Sequence, residues 1–245
     1  MLDVGTIKSR NELLRKAKWL EGKKLKEISK AVKSSDNASR VKTKGTVGDI
    51  IEEGYFGIPK NNTPFPDVRH LGVELKTCPL KYDEETAMLS VKEPLSLNMI
   101  NYMEEYKHAK IVDSSFYKKN KLVLFVCYVH DKSKKRSEYP IKYVFYWRID
   151  ARVIKELKPD YRSIIALIKA GKATEIHQKD NRYLTLCPKH NGVFSDPKDK
   201  KSKSPQPFSK KPAEKRAFRL KTVYMDLIIS RALGKQLYDE RWWKD

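Results

Sequence analysis

The sequence predicts an α/β or α+β protein built on one central mixed sheet flanked by helices. Three observations predict it. Leu122–Val129 is almost wholly apolar, as expected of a strand covered on both faces. Leu71, Val73, Leu75 and Thr77 alternate with Gly72, Glu74, Lys76 and Cys78, the period of two of a half-buried strand. Other apolar residues recur at helical spacing, and the two kinds of element mix without regular βαβ repeats.

The elements follow in order. Ser9 and Glu12 fit a capping box, and Leu13, Leu14, Ala17 and Leu20 then form a helix closed by Gly22. Leu25, Ile28, Ala31 and Val32 suggest a second helix, and polar Lys33–Lys44 reads as a loop. A third helix begins near Thr46, with Val47, Ile50 and Ile51 inward. Gly45, Gly48 and Glu52 share another of its faces, either to admit a sugar–phosphate chain or to pack against a helix. Gly57–Pro66 reads as a turn region. In Val68–Pro79, Leu71, Val73 and Leu75 face the core while Glu74 and Lys76 project together from the other side.

After Leu122–Val129, the charged His130–Tyr139 stretch reads as a hairpin tip leading to a strand at Tyr143–Ile149. Tyr161, Ile164, Ile165 and Ile168 mark a helix closed by Gly171. Tyr183–Leu186 is a short strand, and Leu220, Val223, Leu227 and Ile228 mark a final helix. Lys198–Lys221 holds ten Lys/Arg against two acids, with three prolines, and reads as a flexible basic loop too polar to pack.

The charge is the strongest compositional signal. The 245 residues carry a formal net charge of +21, which favours a polyanionic partner through phosphate contacts and counterion release. No run of about 18 apolar residues suggests a membrane span. Cys78, Cys127 and Cys187 are far apart and fit neither a disulfide framework nor a zinc spacing, so a reducing, cytoplasmic setting is expected. The five histidines lack metal-site spacing, and neither a phosphate loop nor a nucleophile motif is present. His70 reads as a surface histidine or a contact beside the site, and Trp242 and Trp243 as an apolar anchor of the tail.

Asp67 is followed seven residues later by Glu74-Leu75-Lys76. Two carboxylates from adjoining strand segments can hold Mg²⁺, a hard cation that prefers oxygen, and the Leu75 carbonyl can complete the set. Lys76, on the same face as Glu74, can steer a water and relieve charge on a pentacoordinate phosphorus. Such a triplet also occurs in ordinary surface ion pairs. Here the strand alternation, the preceding helix with Glu52 and the basic charge favour chemistry.

Four ordered segments then resemble the MutH-like family of PD-(D/E)xK endonucleases. Lys44–Glu52 is similar to its KGxVGxxxE segment, and Phe65-Pro66-Asp67 with Leu71–Thr77 to its D…LGVELKT segment. Tyr183–Lys189 resembles YLxxxPK, and Arg216–Lys221 the RAFxLK segment before the last helix. The resemblance spans roughly Asn11–Leu233. It implies a restriction-endonuclease-like fold with two lobes around a DNA-binding cleft. The expected organisation is a single nuclease domain over 1–245, with a catalytic lobe at roughly 35–150. A recognition lobe would occupy roughly 151–245, with the N-terminal helices packed near it.

The resemblance further implies Asp67, Glu74 and Leu75 as metal ligands, Glu52 as an additional active-site carboxylate and Lys76 as the catalytic lysine. Lys44, Pro188, Lys189, Arg216, Arg219 and Lys221 would bind DNA. Arg219 stands where the repair members carry a tyrosine, and the Lys198–Lys215 stretch is unlike theirs. The charge therefore favours a type II restriction endonuclease over a repair enzyme, and the resemblance implies Mg²⁺-dependent action on double-stranded DNA at GATC. The alternatives are a mismatch-repair nicking enzyme with a MutL-type partner and a catalytically silent DNA-binding module. A homodimer, or an additional related domain beyond Asp245, is also expected from the restriction members.

Overall fold

The computed structural model describes residues 2–31, 47–61, 63–83, 85, 88–189 and 203–234. Lys44, Gly45, Thr46, His190, the 198–202 part of the basic stretch, Trp242 and Trp243 therefore lie outside the described residues.

In chain order the elements are α1 (Arg10–Lys18), α2 (Leu25–Ala31), α3 (Val47–Glu52), β1 (Glu74–Tyr82), β2 (Leu89–Val91), β3 (Leu95–Met99), α4 (Tyr102–Glu105) and α5 (Ser115–Asn120). There follow β4 (Leu122–Val129), β5 (Ile141–Arg148), α6 (Ala151–Lys169), β6 (Leu184–Pro188), β7 (Lys203–Ser204), β8 (Ala213–Glu214), β9 (Arg216–Leu220) and α7 (Thr222–Leu233). They divide into two compact units. The first comprises Met1–Glu93, Leu122–Arg148 and Asp226–Asp245, and the second Pro94–Lys121 and Ile149–Met225.

The first unit is a mixed sheet in the order β2-β1-β4-β5. β1 and β4 run parallel, and β2 and β5 are antiparallel to their neighbours. Every residue of β4 is buried, the outcome its unbroken apolar run predicts. The N-terminal helices, expected beside the C-terminal part, belong to this unit. Leu13, Ala17, Leu20, Leu25 and Ile28 are buried in one cluster with Leu75, Leu124, Val126 and Val144. The Ser9 side chain caps α1 by accepting from the Glu12 N–H at 3.1 Å. Glu12 reaches back to the Lys8 N–H rather than to that of Ser9.

Two strand expectations need correction here. The alternating Val68–Pro79 stretch is not one strand: a 3-10 turn at Arg69–Leu71 and a left-handed Gly72 (φ 63°) precede β1. Glu74 is not on a solvent face either, for it is 1% exposed and lies beside equally buried Leu75. The alternation was right in period and wrong in extent, because a tight reversal buries Leu71 and Val73 as a strand would.

The second unit contains a three-stranded antiparallel sheet, β3-β9-β6, and the small β7-β8 pair. α6 is longer than its apolar spacing from Tyr161 suggested. Asp150 caps it by accepting from the Val153 N–H at 3.0 Å, and Val153 and Leu157 extend the buried stripe across Pro159. The described part of the basic stretch expected to stay unpacked, from Lys203 onward, is packed. Its Gln206 carboxamide accepts from the Ala173 N–H (2.8 Å) and donates to the Lys211 carbonyl (2.6 Å), and Arg216–Leu220 forms the central strand. Among the described residues, no helix is long and apolar enough to cross a membrane.

Candidate functional site

The site in the first unit is made by a reversal of the chain. Val68 and Val73 exchange two backbone hydrogen bonds, at 2.9 and 3.2 Å, around the 3-10 turn. Gly72 makes that closure possible, since its positive φ is costly for a residue with a Cβ. Arg10 braces the turn by donating Nε to the Leu71 carbonyl at 2.8 Å.

The reversal lays Asp67 against the first residues of β1. The Asp67 N–H donates to Glu74 Oε2 at 3.2 Å, and the Leu75 N–H donates to Asp67 Oδ2 at 2.9 Å. Lys76 Nζ donates to Glu74 Oε1 at 2.6 Å and to the Leu75 carbonyl at 3.1 Å. Glu52 ends α3, which packs on β1. Burial pushes its carboxyl up to about 7; Lys76 pulls it down, while Asp67, Glu74 and Asp49 push it further up. Burial works against the charge of Lys76, yet Glu74, then Asp67 and Glu52, outweigh it and hold its pKa above the ordinary lysine value. The structure thus brings Glu52, Asp67, Glu74, Leu75 and Lys76 into one electrostatic field.

Among the described residues, no cluster of three or more His, Cys, Asp or Glu side chains is arranged to hold a metal ion. A divalent cation would rely on two carboxylates and a peptide carbonyl. The donor chemistry fits. The ammonium of Lys76 already rests on Glu74 Oε1 and the Leu75 oxygen, so a positive charge is accommodated by two of the three expected ligands. His70 is exposed, with Nε2 2.8 Å from the Ile7 carbonyl oxygen.

The other expected DNA-binding residues lie in the second unit. Pro188 is the register partner of Arg216, the Lys189 N–H donates to the Lys215 carbonyl at 2.9 Å, and the Lys189 side chain is exposed. Arg216 turns inward: it is 6% exposed, and its Nη1 donates to the carbonyls of Ala173 (3.1 Å) and Ile176 (2.7 Å). Lys221 donates its ammonium to the Asn181 carbonyl. These two cations are thus occupied in holding neighbouring loops. Arg219 is partly exposed on β9, between Ser96 of β3 and Thr185 of β6. Sequence reading singled out neither Thr185 nor the pair Asp160 and Asn181, which fix the start of β6.

Comparison with known proteins gives concordant matches. The family model described as DNA mismatch repair enzyme MutH matches residues 56–160. The type II restriction enzyme Sau3AI of Staphylococcus aureus is 32% identical over 219 residues, 86% of this chain and 42% of that enzyme. The chain thus spans less than half of that relative's length. The DNA mismatch repair protein MutH of Actinobacillus pleuropneumoniae serotype 5b is 29% identical over 74% of this chain and 77% of its own. That of Shewanella woodyi is 26% identical over 93% of this chain and 94% of its own.

Proposed function

Because this chain belongs to the MutH-like family of PD-(D/E)xK endonucleases, we propose that it is a type II restriction endonuclease that hydrolyses double-stranded DNA with Mg²⁺ at GATC. The observation that carries this reading is the reversal at Gly72, which sets Asp67 against Glu74 and Leu75 beside the Lys76 ammonium. Asp67, Glu74 and the Leu75 carbonyl would hold the ion. When bound, it supplies Lewis-acid relief of charge on the scissile phosphate.

The chain's own groups supply the rest. Lys76 offers an ammonium that can orient the attacking water and face the charge that builds on phosphorus. Glu52 adds a carboxyl whose proton is held near neutral pH by burial. Pro188, Lys189 and Arg219 would meet the duplex from the second unit, and Lys44 would add a further contact to it. The restriction reading is preferred to a nicking repair enzyme with a MutL-type partner because a net charge of +21 supports DNA affinity without a helper. A fold retained as a silent DNA-binding module is disfavoured by the complete set of Asp67, Glu74 and Lys76.

The test is direct. Purified protein is incubated with unmethylated supercoiled plasmid and Mg²⁺, and the ends are sequenced. Linear products ending in 5′-phosphate at GATC are expected. Nicked circles dependent on a MutL-type protein would favour the repair reading, and bound but intact DNA in Mg²⁺ and Mn²⁺ the silent module.

A further inference from the structure

In the sheet of the second unit, Arg219 is the register partner of both Ser96 on β3 and Thr185 on β6. Opposed residues of antiparallel strands point to the same face, so the three polar side chains stand in one row. Thr185 is fully buried and its Oγ1 has no hydrogen-bond partner. The Nε of Arg219 is also buried and without one. Among the described residues, the Arg219 side chain takes no hydrogen bond or ion pair. Arg216, three residues earlier on the same strand, also leaves a buried Nε without a partner but spends its Nη atoms on carbonyls, so the free Nη fork is what sets Arg219 apart. A buried donor and a buried hydroxyl left unmade side by side are costly to the free protein. A ligand docked on the Nη groups would draw Nε onto that hydroxyl and remove the cost.

We infer that Arg219 reads a guanine of the target duplex and that Thr185 is its positioning residue. With Nε donating to Thr185 Oγ1, the two Nη groups remain as a planar fork. That fork matches O6 and N7 on the major-groove edge of guanine, the commonest specific contact of arginine. A phosphate is the poorer match, because a backbone contact positions the duplex without needing a fork fixed by a buried nitrogen. The inference rests on the nuclease reading above and names what its second unit recognises.

Binding of a fluorescent GATC duplex is measured by anisotropy with Ca²⁺ in place of Mg²⁺, against a scrambled duplex and a GATC duplex carrying 7-deazaguanine. Loss of N7 is expected to weaken the wild-type complex about tenfold. Arg219→Ala should weaken the ordinary GATC complex to a similar degree and be indifferent to the deaza substitution. Arg219→Lys, which keeps charge and loses the fork, should behave in the same way. Thr185→Val should reduce the deaza penalty, and Thr185→Ser should restore it.

Equal binding of ordinary and deaza duplexes by a wild-type chain that still prefers GATC overturns the guanine contact and leaves the nuclease reading intact. Arg219 variants that weaken all duplexes alike make it a backbone contact and overturn it too. A Thr185→Val protein with the full deaza penalty removes the positioning role. Absence of any duplex binding removes both readings.

Discussion

Lys76 Nζ sits 2.6 Å from Glu74 Oε1 and 3.1 Å from the Leu75 carbonyl oxygen, so the lysine neutralises the oxygens expected to receive a metal. Ion and ammonium would compete for Glu74. Lys76→Ala and Lys76→Met should therefore bind Ca²⁺ or Mn²⁺ more tightly than the wild type in calorimetry. Plasmid cleavage should fall about a hundredfold or more, with duplex binding nearly unchanged. Equal losses in cleavage and binding would make Lys76 a mere phosphate contact.

Gly72 is the hinge of the reversal. A Cβ there would meet only Arg10 Nη2, at 3.5 Å, so space is not the obstacle. The cost of Gly72→Ala is the left-handed backbone, about 1–2 kcal/mol. Relief of that strain would move Asp67 off Glu74, and misplacement of a catalytic pair lowers turnover steeply. A drop in cleavage of about tenfold or more is expected, beside a modest fall in melting temperature. Unchanged cleavage would mean that the turn does not position the site.

How far the sequence reveals this arrangement follows from which forces are local. Leu122–Val129 was legible because a strand buried on both faces needs an unbroken apolar run, and it has one. Asp67, Glu74 and Lys76 were legible as a set because spacing places them on adjoining segments. The reversal between them was not, since Leu71 and Val73 are buried in it as they would be in a strand. Arg216 illustrates the opposite failure. A cation in a basic stretch reads as a DNA contact until the fold puts the carbonyls of Ala173 and Ile176 around it. The row of Ser96, Arg219 and Thr185 depends on pairing between segments distant in sequence, which no local pattern encodes.

The carboxyl of Glu52 carries a pH signature. Its pKa is about 7 in the folded chain against an ordinary 4.5, chiefly through burial. The folded state therefore holds more protons than the unfolded one between those values. Stability that is full below about pH 4.5 is lost as the pH rises through about 7, by ~1 kcal/mol once partial exposure is allowed for. Glu52→Gln should flatten this slope in urea unfolding of the EDTA-treated protein at pH 5 and pH 8. A slope as steep in the variant as in the wild type would contradict it.

Asp160 anchors the start of β6 in the second unit. It is 7% exposed, and its carboxylate accepts from the backbone N–H groups of Arg182 (2.8 Å), Tyr183 (2.7 Å) and Leu184 (2.8 Å). Asn181 adds a second tie, its Nδ2 donating to the Leu184 carbonyl at 2.8 Å. An alanine at 160 would leave two buried N–H groups and one half-buried one without partners, at a cost on the order of 3 kcal/mol. Asp160→Asn, which keeps shape and loses charge, should cost less than Asp160→Ala. Both should lower the thermal midpoint. Because this carboxylate fixes the strand that carries Thr185 and Pro188, duplex selectivity should erode in the same order while the Asp67–Glu74 pair keeps its affinity for Mn²⁺. Loss of Mn²⁺ binding in step with selectivity would mean that the two units unfold as one.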